Sequence, residues 1–257
     1  SESWTNQMLR AYQKEACRNV LDEHEHLRST CLVSPTGSGK TFMAMALIRS
    51  WLHGGARVLV VAHRRELILQ TANELSKICV PGVVMQGQPS TPSNAVQVAS
   101  IQTLLSMGKF PYSDYLVLDE CHHYRAAEWG KVDEMYRTAK VLGLTATPER
   151  ADGKPLGDMF ESLVVAASYD RLLEEGHLVP CRAYQPSSGL KSNEAAQDPL
   201  DAYRRLASGR KAFGFAGRVP QCVDLASRFS EAGIPSRVIE ANTKKELRDE
   251  YMRAFRS

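Results

Sequence analysis

Three groups of residues carry the chemistry legible in this chain. The first is Ser34-Pro35-Thr36-Gly37-Ser38-Gly39-Lys40-Thr41, set between a short apolar run, Cys31-Leu32-Val33, and a helix-like run, Phe42 to Trp51. Strand, glycine-rich turn, Lys-Thr and helix together make the layout of a phosphate-binding loop. The glycines let successive backbone N–H groups turn inward, and the following helix adds the positive end of its dipole. Lys40 can then reach β- and γ-phosphates, while the Thr41 hydroxyl can hold Mg²⁺. Ser34 stands where the usual pattern begins with Gly; Gly37, Gly39, Lys40 and Thr41 still supply the chemistry. The competing reading, a glycine-rich surface turn, explains neither the strand before it nor the helix after it.

The second group is Asp119-Glu120 at the end of the buried run Tyr115-Leu116-Val117-Leu118. Asp119 suits a metal, directly or through water, and Glu120 suits polarisation of an attacking water. Adjacent acids can also merely cap a helix. We expect their strand to lie beside the phosphate-loop strand. The third group is a set of polar clusters at other strand ends: His63-Arg64-Arg65, Ser100 to Thr103, and Thr145-Ala146-Thr147. Gln13, in a probable helix beginning near Leu9, has an amide that could pair with adenine, although an exposed helical glutamine is the simpler reading. Metal ligation by His24-Glu25-His26 is disfavoured, because residues two apart do not share a helix face. Cys121 and His123 lack a matching second pair for zinc.

These groups need a scaffold. Apolar runs at Val58 to Ala62, Val83 to Met85, Val96 to Ala99, Tyr115 to Leu118 and Val141 to Leu144 alternate with helical stretches. Such alternation implies a parallel sheet covered on both faces, with its site at the carboxyl ends of the strands. After Glu149 the texture becomes loop-like, with a short helix near Tyr169. A second α/β unit is expected from strand-like Lys211 to Ala216 and Ser236 to Glu240 and from helices at Val219 to Ala232 and Lys244 to Phe255. Hydrophobic content of 43% and charged content of 24% over 257 residues suit one large domain or two ordinary ones. A net charge of +3 permits nucleic-acid binding without arguing for it. The six scattered cysteines read as reduced thiols of a cytoplasmic protein, and neither a signal layout nor a membrane span is legible.

Taken in order, the motifs resemble the superfamily 2 helicases and translocases of the DExH branch. Leu9-Arg10-x-Tyr12-Gln13 is similar to the adenine-reading Q motif and Ser34 to Thr41 to motif I. Ala62-His63-Arg64-Arg65-Glu66-Leu67-x-x-Gln70 is similar to motif Ia, Asp119-Glu120-Cys121-His122 to motif II, and Leu144 to Pro148 to motif III. The resemblance covers about residues 8–180, and the later part is similar to the start of a second RecA-like domain. It implies a RecA-like domain over residues 1–167, a connecting segment over 168–186 and an incomplete second RecA-like domain over 187–257. It also implies an ATP hydrolase that uses ATP and Mg²⁺, with Arg10, Gln13 and the loop from Pro35 to Thr41 holding the nucleotide and Lys40, Asp119 and Glu120 catalytic. His122, Thr145 and Thr147 would couple the nucleotide to nucleic acid, which Arg64, Ser100 and Thr103 would touch at its phosphates. The Ala-His-Arg-Arg-Glu-Leu and Asp-Glu-Cys-His-His forms look closer to DNA-directed bacterial, phage and restriction motors than to DEAD-box RNA helicases, so DNA is expected before RNA. The alternative is an ATP-gated nucleic-acid-binding module that does not unwind. No Gln-x-x-Gly-Arg-x-x-Arg pattern occurs in the 257 residues; this suggests a truncated motor that binds ATP–Mg²⁺ but hydrolyses it poorly.

Overall fold

The computed structural model describes residues 9–62, 65–84, 94–108, 111–124, 126–148, 156–184 and 198–256. The chain forms two compact units, residues 1–180 and 181–257.

In the first unit, helix α1 (Ala11–His26) is followed by β1 (Ser29–Val33), α2 (Lys40–His53), β2 (Val58–Ala62) and α3 (Arg65–Leu75). Strands β3 (Pro81–Val84) and β4 (Val96–Ser100) precede α4 (Ile101–Met107), β5 (Tyr115–Leu118), α5 (Ala126–Met135), β6 (Lys140–Thr145), β7 (Ser162–Val165) and α6 (Tyr169–Glu174). The seven strands form one sheet in the order β3-β4-β2-β5-β6-β1-β7. Every paired neighbour is parallel.

Side chains alternate across these strands, and each set has its own cover. Leu32, Val58, Val60, Val117, Leu142 and Leu144 pack with Tyr12, Val20, Leu47, Ile48, Ile68 and Leu172 from α1, α2, α3 and α6. Cys31, Leu59, Val61, Leu116 and Leu118 pack with Ile101, Leu104, Trp129, Val132 and Phe160 on the other face. Burial on both faces explains why β2 reads as an unbroken apolar run, and every residue of β1 and β4 is buried as well. No described helix is long and apolar enough to cross a membrane.

One expectation about strand order needs correction. The acid-bearing strand β5 is not adjacent to β1, because β6 stands between them. The chain leaves β1 and passes over two strand positions before laying down β2; β5 and β6 fill the gap later. The spacing is still useful, since it brings the end of β6 between the two chemical groups. Strand β7 went unread because its four residues sit in a loop-like stretch with Leu163 and Val165 exposed.

The second unit contains α7 (Pro199–Leu206), α8 (Val219–Glu231) and α9 (Lys245–Arg256). The strands expected at 211–216 and 236–240 are absent, as is the strand-like piece at 181–184. A strand needs a hydrogen-bonded neighbour, and these extended segments have none in a ladder. Phe213 stacks on Phe255 at 4.3 Å, yet Phe215 is 94% exposed.

Gly143 shows how tightly the centre of the first unit is packed. A Cβ there would lie 2.4 Å from Phe160 Cζ and 3.1 Å from Cys121 Sγ. Gly143→Ala should therefore destabilise the first unit by about 1–3 kcal/mol. A urea titration checks this, and an unchanged midpoint would show that Phe160 moves aside freely.

Candidate nucleotide site at the carboxyl rim of the sheet

The phosphate loop leaves β1 as predicted. Gly37 and Gly39 have φ values of 84° and 86°, the left-handed region that glycine occupies cheaply. Ser38 N–H closes a turn on the Pro35 carbonyl at 3.1 Å, and the Ser34 hydroxyl donates to Ser38 Oγ at 2.6 Å. Ser34 is fully buried, and its N–H donates to the Thr145 carbonyl at 3.0 Å. A serine in this first position thus gains a side-chain bond that glycine would lack. Thr36, Gly37 and Thr41 are exposed, so the rim of the loop and the first turn of α2 face outward.

Lys40 Nζ donates to the Ser34 carbonyl at 3.0 Å, which folds the side chain back along its own loop. Burial pushes the Lys40 ammonium below its usual range, while Glu120 and Asp119 pull it back up. The reciprocal effect appears on Asp119: burial and then Glu120 raise its carboxyl, and Lys40 lowers it. The lysine and the two acids therefore share one electrostatic neighbourhood at the ends of β1 and β5. Hard oxygen donors from Thr41 and Asp119 beside a phosphate loop suit Mg²⁺ better than a softer metal. Among the described residues no group of three His, Cys, Asp or Glu could hold a metal by itself.

Glu120 has φ 48° and ψ 53° and is the one non-glycine residue with positive φ among those described. Such a backbone is sparsely populated and is held here by its surroundings. Asp119 N–H extends the β5 ladder onto Val61 O at 3.0 Å, and Tyr124 OH donates to the same carbonyl at 2.8 Å. These bonds on either side of Glu120 fix the direction of the turn. Neither the strain nor the tyrosine clamp has a simple signature in sequence.

The residues expected to couple nucleotide to nucleic acid do meet. His122 Nδ1 lies 2.9 Å from Thr145 Oγ1 and 3.4 Å from Glu120 Oε2. Thr145 Oγ1 donates its single hydrogen to Thr147 O at 2.7 Å and accepts from Thr147 N–H at 3.1 Å. The network therefore assigns the ring proton of neutral His122 to Nδ1. Burial, His123 and Lys40 hold His122 below the ordinary histidine range, with Glu120 opposing them. His122 thus hydrogen-bonds the Thr145 turn, with the Glu120 carboxylate 3.4 Å from the same ring nitrogen.

Gln13 is buried at 4% exposure, not on an open helix face. Its Oε1 accepts Arg10 N–H at 2.9 Å, and its Nε2 donates to Ser38 O at 2.8 Å. The amide expected to read adenine thus braces the phosphate loop, with Arg10 exposed beside it. Tyr12, buried beside it, donates its hydroxyl to the same Ser38 carbonyl at 2.5 Å. Ser100 caps α4, accepting Thr103 N–H at 3.0 Å and donating to Thr103 Oγ1 at 2.8 Å. Both stand at the carboxyl end of β4, on the rim that carries the other groups. Arg64 lies outside the described residues.

Comparison with known proteins follows the same lines. A family model described as the type III restriction enzyme res subunit matches residues 6–150. A 51.5 kDa protein of a Lactococcus phage (isolate 7-9) is 30% identical over 243 residues, covering 87% of this chain and 52% of that protein. The DNA 3'-5' translocase XPB2 of Sulfurisphaera tokodaii is 31% identical over 172 residues, covering 65% of this chain and 36% of the relative. Among solved structures, a nuclease-deletion mutant of the type ISP restriction-modification enzyme LlaGI, in complex with a DNA substrate mimic, matches with TM-score 0.53 at 18% identity. That match covers 66% of this chain and 20% of the other. The UvsW helicase of bacteriophage T4 matches with TM-score 0.50 at 20% identity, covering 61% of this chain and 59% of that one. At such identities the structures speak to the fold. The chain spans about half or less of the length of these curated relatives.

The charge arrangement makes a pH prediction. The carboxyl of Asp119 is raised in the folded protein, so ionising it costs folding stability above that raised value. The penalty is relieved as pH falls through that value. Asp119→Asn should therefore raise the melting temperature at alkaline pH, and the gain should shrink as the pH falls into the ordinary carboxylate range. The same change should weaken Mg²⁺-dependent nucleotide binding by about 10–100-fold. A melting difference that stays constant with pH would show that Asp119 is not held under this strain.

Proposed function

Because this chain belongs to the type III restriction enzyme res-subunit family, a DExH-type group of superfamily 2, we propose that it is the nucleotide-binding part of an ATP-driven motor on nucleic acid, DNA before RNA. The observation that carries this reading is the shared rim. Lys40, Asp119 and Glu120 stand in one electrostatic neighbourhood, and Glu120 is joined through His122 to Thr145 and Thr147.

In this reading ATP lies on the phosphate loop, its β- and γ-phosphates taken by inward N–H groups and by Lys40. Lys40 uses one of its three N–H donors on the Ser34 carbonyl, which leaves the others for phosphate. Mg²⁺, held by Thr41 and Asp119, would neutralise charge on the phosphates when bound. Glu120, set outward by its left-handed backbone, accepts a proton from the attacking water. Neutral His122 donates from Nδ1 to Thr145, so a change at Glu120 alters the hydrogen bonding of the Thr145–Thr147 turn. Arg10 and Gln13 are assigned to the base, which requires the Gln13 amide to give up part of its hold on Ser38. Ser100 and Thr103 at the end of β4, with Arg64, are assigned to strand phosphates. Such contacts position a strand without reading its sequence and make binding salt-dependent.

The readings favouring DNA are the names of relatives, among them a DNA translocase and a DNA-bound restriction enzyme. Coupling of hydrolysis to strand separation or to duplex tracking belongs to the proposal, as do the roles of the individual residues.

Equilibrium binding of a fluorescent ATP analogue, with ATPase assays in the presence and absence of duplex and single-stranded DNA and RNA, tests this. Lys40→Ala should weaken nucleotide binding by roughly 10–100-fold, from loss of a charge-assisted contact. Glu120→Gln should retain binding but lower hydrolysis by about 10²–10⁴-fold. Nucleotide affinity that ignores Lys40 would overturn the assignment.

A further inference from the structure

The phosphate loop has a second support besides α1. Helix α6 is capped by Ser168, whose Oγ accepts Arg171 N–H at 3.1 Å, and it ends at Gly176 with φ 68°. The N–H groups of His177 and Leu178 both close on the carbonyl of the fully buried Leu172, at 2.8 and 2.9 Å. Two bonds to one anchored carbonyl leave this turn little freedom. It presents two side chains to the nucleotide site. The His177 ring lies tilted against Tyr12, the residue that holds Ser38 O, with centroids 5.4 Å apart, and Leu178 Cδ2 lies 3.2 Å from where a Cβ on Gly37 would be. Polar contacts lie behind the turn: His177 Nε2 is 3.3 Å from Glu175 Oε2, Glu175 Oε1 pairs with Arg171 Nε at 2.7 Å, and Arg171 lies 4.0 Å from Glu15 of α1.

The loop is therefore held at Ser38 by Tyr12 and Gln13, and Leu178 closes the space that a side chain at Gly37 would need. Two residues after Leu178, at Pro180, the first compact unit ends. We propose that Leu178 and His177 are positioning residues for the phosphate loop, linking the conformation that takes a nucleotide to the path by which the chain leaves the unit. This rests on the reading that the loop binds a nucleoside triphosphate. By linkage, whatever nucleotide does to the turn, displacing the turn must do to nucleotide affinity. The path is separate from the one through His122 and Thr145, since it begins at the loop backbone and not at the acidic residues.

A double-mutant cycle in the full chain tests the proposal, read by binding of a fluorescent ATP analogue. Loss of binding in Lys40→Ala first establishes the underlying reading; its persistence would sink that reading alone. Given that loss, Leu178→Ala should weaken binding by about 3–10-fold, because a looser loop populates its binding shape less. Leu178→Met, which refills the volume, should restore it. Gly37→Ala carries a left-handed strain common to both backgrounds, so what the cycle reads is the crowding of the added methyl against Leu178, which tests whether the two residues are neighbours in the binding shape. The two changes should therefore fail to add by about threefold or more. Hydrogen exchange at His177 and Leu178 in the unaltered protein gives a second readout, expected to slow when nucleotide is added. Additive changes, affinity unmoved by Leu178→Ala, or exchange indifferent to nucleotide would each overturn the proposal.

Discussion

A loop that turns its N–H groups inward around an anion must turn carbonyls outward, and each outward carbonyl in a buried setting needs a donor. Much of the site is organised by that requirement. Ser38 O receives the Tyr12 hydroxyl and the Gln13 amide, and Ser34 O receives Lys40. Two of the donors come from α1, which otherwise packs as an ordinary amphipathic helix. The third comes from the loop's own lysine, held in a place it can leave. The loop's shape is thus fixed by groups other than its ligand, which is what pre-organisation means in physical terms.

Charge is handled with the same economy. One ammonium and two carboxylates meet at the rim, where burial penalises each of Lys40 and Asp119 and their mutual attraction offsets part of the cost. Glu120, on its left-handed backbone, still lies close enough to raise the Asp119 carboxyl further. The intervening strand β6 then matters, because its last residue, Thr145, lies where it can receive His122 from the end of β5 while its carbonyl holds the first residue of the phosphate loop. A single threonine thereby touches both halves of the site.

Much of this could be read from the sequence, and the failures are instructive. The phosphate loop, the acid pair and the five central strands were legible because their signals are local: glycines before Lys-Thr, and apolar runs with polar ends. Order within the sheet was not legible, since neighbours are set by crossovers far apart in sequence; hence the misplacement of β5 beside β1. Gln13 was misjudged as exposed because its partner, Ser38, is 25 residues away. Strand β7 was missed because an edge strand with two outward apolar residues lacks the doubly buried pattern. The strands expected in the second unit failed for the reverse reason: their local composition is right, but pairing is a property of neighbours.

Strand β1 lies inside the sheet, bonded to β6 on one side and β7 on the other. Edge strands can fray while the rest of a domain stays intact, but an interior strand opens only with its flanks. The stem of the phosphate loop consequently has no private unfolding route. Its backbone amides should report the cooperative melting of the whole sheet, so a ligand seated on that stem would stabilise the entire unit and not a flap at its border.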